Sequence, residues 1–105
     1  MALQIGNNML DMLVLAILRE NDTYGYVLTQ RVQSILDVSG SALYPVLRRL
    51  LQVGACATYD VPFGGRNRRY YSITTTGHEL LRGYISDWND YRDAVEQILK
   101  GGDGN

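Results

Sequence analysis

Residues 39–71 decide the fold, and they read SGSALYPVLRRLLQVGACATYDVPFGGRNRRYY. The first half has the apolar spacing of a helix that begins near Gly40 and runs to about Val53. Gly54 follows, at a position where a left-handed glycine commonly closes a helix. The second half has two short strand-like segments on either side of a Pro-Phe-Gly-Gly turn signal, which predicts a β-hairpin. The stretch therefore predicts a helix followed by a hairpin.

A first helix is predicted well before this stretch. It begins at a cap formed by Asn7 or Asn8 and ends at about Glu20. Nearly every residue from Met9 to Leu18 is apolar. A helix that is apolar all round must be covered on both sides, and in so small a chain we expect the second cover to come from another subunit.

A second helix is predicted from about Tyr24 to Leu36, and a short turn joins it to the helix of the opening stretch, which Ser39 or Ser41 caps. Pro45 removes one backbone donor from that helix and is expected to bend it slightly. Two helices joined by a short turn and followed by a basic hairpin form a winged helix-turn-helix. The predicted inner stripe of the second helix comprises Tyr24, Val27, Leu28, Val32, Ile35 and Leu36.

A last helix, capped by Thr75 or Thr76, is predicted from about Gly77 to Leu99. The expected fold is mainly α with a small β-hairpin. It divides into a winged helix-turn-helix DNA-binding domain over residues 1–73, a C-terminal dimerisation helix over 74–100 and a disordered tail over 101–105.

The bulk composition is that of a soluble globular protein, with 105 residues, 46% of them hydrophobic. No apolar stretch is long enough to span a membrane, no secretory signal is visible, and the single cysteine, Cys56, cannot form an internal disulfide. These features predict a cytoplasmic protein.

The net charge of −1 hides an uneven distribution. Five of the ten basic residues lie between positions 48 and 69, where only Asp60 opposes them, and the C-terminal part is acidic. A DNA-binding face needs only a local positive field, so the overall charge does not exclude one.

The helix of the opening stretch is the first candidate for reading DNA. Its N-terminal end carries short hydroxyl and small apolar side chains that fit base edges, and arginines one turn further on can reach phosphates or a guanine edge. The alternative is an amphipathic helix with a solvated basic face. The candidate contacts are Ser39, Ser41, Ala42, Tyr44, Arg48 and Arg49.

The hairpin is the second candidate, because a wing with clustered arginines and flexible glycines can approach DNA closely. Strand alternation places Arg68 and Tyr70 on one face and Arg69 and Tyr71 on the other. Arg69 could instead pair with an acidic residue on the body. The candidate contacts are Gly65, Arg66, Asn67, Arg68 and Arg69.

The last helix carries apolar residues at the spacing of a coiled-coil seam, which predicts a dimer. The alternative is packing against the chain's own helices, and the two can hold on different faces. The candidate interface residues are Tyr84, Trp88, Tyr91, Val95 and Ile98 on this helix, together with Met9 and Leu13 on the apolar first helix.

Three motifs together resemble the PadR family of transcriptional regulators: Leu43-Tyr44-Pro45, the wing Gly64–Tyr71 and the upstream Tyr24-Gly25-Tyr26. The resemblance covers about residues 5–99, and the single short final helix is similar to the smaller subfamily that includes LmrR-type multidrug-sensing repressors. The sequence departs from the family pattern at three positions: Gly40 stands where an acidic residue is common, Ala42 where threonine is common, and Ser72 where a basic residue is common. These departures leave the operator sequence open.

The resemblance implies a homodimer that places the reading helix in the major groove of double-stranded DNA and the wing against the backbone or minor groove. In LmrR-type proteins a tryptophan at the matching place stacks on planar ligands between subunits. By that resemblance Trp88, with Asp87 and Tyr91, is a candidate site for a small-molecule effector, although Trp88 could instead simply fill the interface. The implied function is a repressor released by a planar, phenolic or drug-like ligand, without a cofactor.

Two other functions compete with this one: a winged-helix module that binds an acidic protein, and a ligand-binding protein without DNA binding. The sequence has no catalytic triad, phosphate-loop or metal signature, so we expect neither an enzyme nor a metal site. His78 is expected to be solvated or hydrogen-bonded, and Cys56 to be a small buried residue in preference to a redox sensor.

Overall fold

The computed structural model describes residues 5–101, with side chains from Asn8 onward. The described chain folds into four helices and one three-stranded antiparallel sheet. This confirms the mainly α prediction with a small β part. In chain order the elements are α1 (Ile5–Glu20), β1 (Thr23–Tyr24), α2 (Gly25–Gln33), α3 (Leu43–Gln52), β2 (Cys56–Phe63), β3 (Arg66–Ile73) and α4 (Thr75–Gly101).

The core lies where α1, α2 and α3 meet the sheet and the first half of α4. Helix α3 shows why the helices are amphipathic: its buried residues recur at intervals of three, one and three, so they form one stripe. Buried aliphatic side chains of this kind each contribute about 1.5–3 kcal/mol relative to exposure. The most buried large side chains are Val14, Leu15, Leu18, Leu28, Val32, Leu43, Leu50 and Leu81.

The first two helices differ from prediction at their ends. Helix α1 already includes Asn7 and Asn8, so neither residue caps it. Helix α2 ends at Gln33, and the Ser34 hydroxyl donates to the carbonyl oxygen of Arg31 at 2.6 Å, a local bond that competes with helix continuation. Ile35 is consequently 66% exposed instead of lying on the inner stripe.

Helix α3 begins at Leu43 instead of Gly40, after a turn in which the amide of Ala42 donates to the carbonyl of Ser39. No side chain caps the helix, so the predicted cap at Ser39 or Ser41 is wrong. Pro45 is the third helical residue, where a backbone N–H has no helical partner, and its ring therefore costs no hydrogen bond. Gly54 has φ +77° and ends the helix as predicted.

The sheet contains a strand that the sequence pattern did not reveal. Strand β1 has only two residues, and it pairs with β3 so that Tyr24 lies opposite Tyr70. The strand order is β1-β3-β2. The wing strands are longer than predicted, because Gly64 and Gly65 alone form the turn, with φ of +58° and +80°. Two successive residues at positive φ are typical of the tight type I′ hairpin.

Helix α4 begins two residues before its predicted start. Its cap is Thr74, whose Oγ1 accepts a hydrogen bond from the amide of Gly77 at 3.1 Å, and not Thr75 or Thr76. Gly77 packs so closely against the backbone of Ala55, the residue before β2, that an added Cβ would overlap the Ala55 carbonyl oxygen. The helix continues through Gly101, the first residue of the predicted tail, and residues 102–105 lie outside the described part.

The second half of α4 extends beyond the body of the protein. With 27 residues the helix is about 40 Å long, and every residue from position 90 to position 101 is exposed. The molecule is accordingly elongated, with extents of 64 × 27 × 21 Å. None of the described helices is long and apolar enough to cross a membrane.

Candidate nucleic-acid interface

The outer face of α3 is polar and aromatic. Tyr44 is 63% exposed, and Arg48, one turn further along, is exposed on the same side of the helix. Leu43, Val46 and Leu47 hold the opposite side in the core. The predicted candidates Tyr44 and Arg48 are thus brought together, and both are free to reach a partner outside the chain.

The turn before α3 presents small polar groups next to that face. Ser39 and Ser41 are exposed, and their hydroxyl oxygens lie 3.5 Å apart. Ala42 is half-buried against the core. Neither serine caps the helix, so the hydrogen bond between the two hydroxyls uses one donor and leaves the other donor and the remaining acceptor sites available.

Arg49 has a different environment from Arg48. Its Nη2 donates to Oδ1 of Asp11 at 2.5 Å and its Nε donates to Oδ2 at 3.3 Å, so the guanidinium forms a bidentate pair with the carboxylate. Asp11 is only 3% exposed, and it is the single charged residue of the α1 core face. This bond raises the pKa of Arg49, against the opposing effect of burial. The structure therefore places Arg49 in a bridge between α1 and α3.

The phenol of Tyr84 on α4 lies near this pair. Burial raises the pKa of Tyr84, and the negative charge of Asp11 raises it further. The buried carboxylate of Asp11 on α1 thus pairs with Arg49 on α3 and lies near the phenol of Tyr84 on α4.

The wing presents exposed and unpaired charges. Arg66, Asn67 and Arg69 are all exposed. Within residues 8–101, no ion pair involves Arg48, Arg66 or Arg69. Asp60 lies opposite Arg69 in the strand register but forms no ion pair with it. These three cations are accordingly available for an anionic partner.

Arg68 is held differently from its neighbours. Its guanidinium carbon lies 3.7 Å from the ring centroid of Phe63 and 4.2 Å from that of Tyr24. Both distances are in the range of cation–π attraction. The register confirms the predicted alternation, because Arg68 and Tyr70 share one face of β3 and Arg69 and Tyr71 share the other.

Three tyrosines on the same sheet face brace this arrangement. The ring of Tyr70 lies between those of Tyr24 and Tyr59, with centroid distances of 5.4 and 5.7 Å. The hydroxyl of Tyr59 donates to Oδ2 of Asp22 at 2.7 Å, and this bond raises the pKa of Tyr59. The outer face of the wing is thereby tied to the loop that follows α1.

The residues predicted for the dimer and ligand sites fall into two groups. Met9, Leu13, Tyr84 and Trp88 are partly buried against the chain's own core. The other three predicted interface residues are exposed: Tyr91 is 37% exposed, Val95 39% and Ile98 81%.

Two of the predicted ligand residues contact each other, and the third lies elsewhere. The rings of Trp88 and Tyr91 are stacked, with centroids 6.3 Å apart and planes inclined by 21°. Asp87 instead lines an open groove of about 380 Å³ together with Leu80 and Tyr84. Trp88 is not among the lining residues of that groove.

The remaining reactive side chains have ordinary environments. Cys56 is buried, and burial raises the pKa of its thiol to about 11, so it is protonated at neutral pH. His78 is exposed. No cluster of three or more metal-binding side chains occurs in the part of the chain that the structure describes.

Comparison with known proteins assigns the fold to a family. The model of the Transcriptional regulator PadR-like family matches residues 14–83, which include α2, α3 and the whole wing. The chain belongs to this family. It is thus a member of a family of transcriptional regulators and not an enzyme. The resemblance to the PadR family is confirmed.

Solved structures agree with this assignment. A Streptococcus mutans UA159 protein is 33% identical, with a TM-score of 0.83 and coverage of 89% of this chain and 88% of that one. A PadR family transcriptional regulator from Eggerthella lenta is 32% identical, with a TM-score of 0.76 and coverage of 91% and 85%. Bacillus subtilis PadR, solved in complex with operator DNA, is 22% identical over 72% of this chain and 46% of that one, and its TM-score of 0.65 shows the shared fold.

Sequence reasoning missed several residues that shape this PadR-like surface. Asp11 is the one charged residue between Met9 and Leu18, and this break in the apolar run is the available signal of a buried partner. Phe63 was assigned to the turn, although extending the strand alternation from Tyr59 places it on the face of Arg68. Tyr24 was expected on the inner stripe of α2 instead of in the sheet.

Proposed function

We propose that this PadR-like chain binds duplex DNA through α3 and the wing and regulates transcription as a dimeric repressor. The observation that carries the proposal is a set of three exposed arginines on these two elements that form no ion pair with any described residue: Arg48, Arg66 and Arg69. Unpaired cations of this kind attract the phosphate backbone. The operator complex of Bacillus subtilis PadR supports the proposal by analogy of fold.

In this proposal the two elements have different tasks. The turn before α3, with Ser39, Ser41 and Ala42, and Tyr44 in the first turn of the helix contact base edges and select the sequence. In the wing, Arg66, Asn67 and Arg69 supply contacts to phosphates, and Gly65 allows close approach. Arg48 adds a further phosphate contact. Arg49 positions α3 against α1 instead of contacting DNA, because Asp11 already engages it.

The test is a binding titration on DNA upstream of the chain's own gene, by fluorescence anisotropy at several salt concentrations. The logarithm of affinity changes with the logarithm of salt by about −0.9 per phosphate contact. If Arg66 contacts one phosphate in each protomer, Arg66→Ala flattens the slope by about 2 and weakens binding to all sequences.

Lys100→Ala is the matched control, because it removes the same charge from the far end of α4, where Lys100 is 77% exposed. It should leave both affinity and slope unchanged. Absence of DNA binding at low salt would refute the proposal and favour a winged-helix module for an acidic protein.

The dimer in this proposal forms along α4. Tyr91, Val95 and Ile98 repeat at heptad spacing and are exposed in the described part of the chain. A twofold protein would then match a twofold operator. Ile98→Asp should shift the protein toward monomer in sedimentation velocity, whereas Gln97→Asp, on a different face of the helix, should not. A wild-type monomer at micromolar concentration would contradict the dimer.

Release by a planar ligand is the remaining part of the proposal. The stacked pair of Trp88 and Tyr91 offers a flat aromatic surface, and Trp88 is the only tryptophan, so its fluorescence reports on that surface alone. A planar aromatic cation should quench this fluorescence and weaken DNA binding. Trp88→Leu should remove the effect of the ligand while retaining DNA binding. A panel of such cations that changes neither signal would overturn this part.

A further inference from the structure

We propose that Arg68 is the sequence-reading residue of the wing, and that Phe63 and Tyr24 are positioning residues that orient its guanidinium toward a base edge. The inference rests on the proposed DNA-binding function and adds a specific contact to it. It separates Arg68 from the neighbouring arginines, which contact phosphates.

The first observation is that two aromatic rings contact the guanidinium. Its carbon lies over the rings of Phe63 and Tyr24, at 3.7 and 4.2 Å from their centroids. A guanidinium held in this way loses little further side-chain freedom when it binds. Its position is set before DNA arrives.

The second observation is that the edges of the same group are free. In the described part of the chain, the side chain of Arg68 makes no hydrogen bond or ion pair with the protein, although it carries five N–H donors. A side chain that served only to brace the hairpin would need no free donors. The two ring contacts and the free donors together present a held planar fork to an acceptor outside the chain.

The third observation is the surface beside this fork. Phe63 is 60% exposed, and with Arg66, Asn67 and Arg68 it lines a groove of about 250 Å³ at the tip of the wing. Exposing an aromatic ring to water is unfavourable, and burying it against the sugar or base surface of a groove recovers that free energy.

A base edge fits these observations better than a phosphate does. A phosphate accepts hydrogen bonds from many directions, so a mobile arginine such as Arg66 or Arg69 is sufficient. A base edge presents acceptors in one plane, and a planar fork of fixed orientation discriminates between bases. The braced array of Tyr24, Tyr70 and Tyr59, anchored on Asp22, keeps that orientation rigid.

The test compares affinity for the operator with affinity for a scrambled duplex, and uses the ratio as the measure of specificity. Arg68→Lys keeps the charge but loses the planar fork, and it should lower the ratio about tenfold while leaving the salt slope unchanged. Phe63→Leu should lower the ratio in the same direction because it removes one covering ring. Phe63→Tyr keeps the ring and should retain the wild-type ratio.

Arg82→Lys is the matched control, because it makes the same exchange at an exposed arginine of α4, outside α3 and the wing, and it should change neither the ratio nor the slope. If Arg68→Lys also leaves the ratio unchanged while wild type discriminates between the duplexes, Arg68 is a phosphate or bracing residue and the inference is overturned. If wild type binds neither duplex, the proposed function fails before this inference is reached. A thermal melt of each variant shows that the comparison is made on folded protein.

Discussion

Replacing Arg49 by methionine should destabilise the fold more than replacing Asp11 by asparagine, although the two side chains form one ion pair. The reason is their unequal exposure. The Asp11 side chain is 4% exposed and the Arg49 side chain 49%. After Asp11→Asn, the guanidinium can turn into solvent. After Arg49→Met, the carboxylate remains buried without a partner.

The magnitudes follow from this asymmetry. Leaving a buried charge without its partner costs about 3–5 kcal/mol, and the open side of this pair admits some water, so we expect about 3 kcal/mol for Arg49→Met. Asp11→Asn loses charge-assisted hydrogen bonds but leaves no buried charge, and we expect about 1–2 kcal/mol. The double variant should lose about 1.5 kcal/mol less than the sum of the two, because one interaction is counted twice.

Urea unfolding followed by circular dichroism measures these differences, at one fixed protomer concentration because the stability of the proposed dimer would depend on concentration. The slope of the free energy against urea should be the same for all four proteins. Equal losses from the two single changes would refute the argument, because they would mean that the carboxylate is as accessible to water as the guanidinium. Additive losses in the double variant would show that the pair is not coupled.

Three further predictions test the packing. Gly77→Ala should lower the free energy of unfolding by about 2 kcal/mol or more, because the new methyl overlaps the carbonyl oxygen of Ala55. The control Gly83→Ala has open space on the same helix and should be neutral or stabilising. Equal melting temperatures of the two variants would contradict the predicted overlap. Gly54→Ala should cost about 1–2 kcal/mol in the same melts, because φ is +77°, and an unchanged melting temperature would argue against the left-handed helix end. The Cys56 thiol, whose pKa burial raises to about 11, should react with a disulfide reagent at pH 8 about a hundredfold more slowly than an exposed thiol, and reaction at the exposed rate would mean that the start of β2 is open.

The sequence by itself determined the features that depend on neighbours along the chain. The apolar stripe of α3 recurs within a few turns of one helix, and Gly54 closes that helix through its own backbone freedom. The paired glycines at positions 64 and 65 specify a tight turn for the same reason. Strand alternation then assigned Arg68 and Arg69 to opposite faces without any knowledge of what those faces meet.

Helix ends were determined less well, because several nearby residues can cap a helix and the tertiary structure selects one. Thr74 caps α4 in place of Thr75 or Thr76, and its hydroxyl also donates to the carbonyl of Gly54 at the end of α3. A cap with a second partner in another element is favoured over its neighbours. The sequence has three adjacent threonines at positions 74–76, and local pattern alone does not tell which of them caps the helix.

Only the tertiary structure decided which arginines are free. Asp11 and Arg49 are separated by 38 positions, and they meet because α1 and α3 pack on the same core. Tyr24 reaches Arg68 because a two-residue strand, too short to show any period, pairs with β3. Periodicity reports on contacts within one element, whereas these pairings depend on how separate elements are brought together when the core is buried. The sequence therefore located the basic surface, and the fold assigned a different environment to each of its cations.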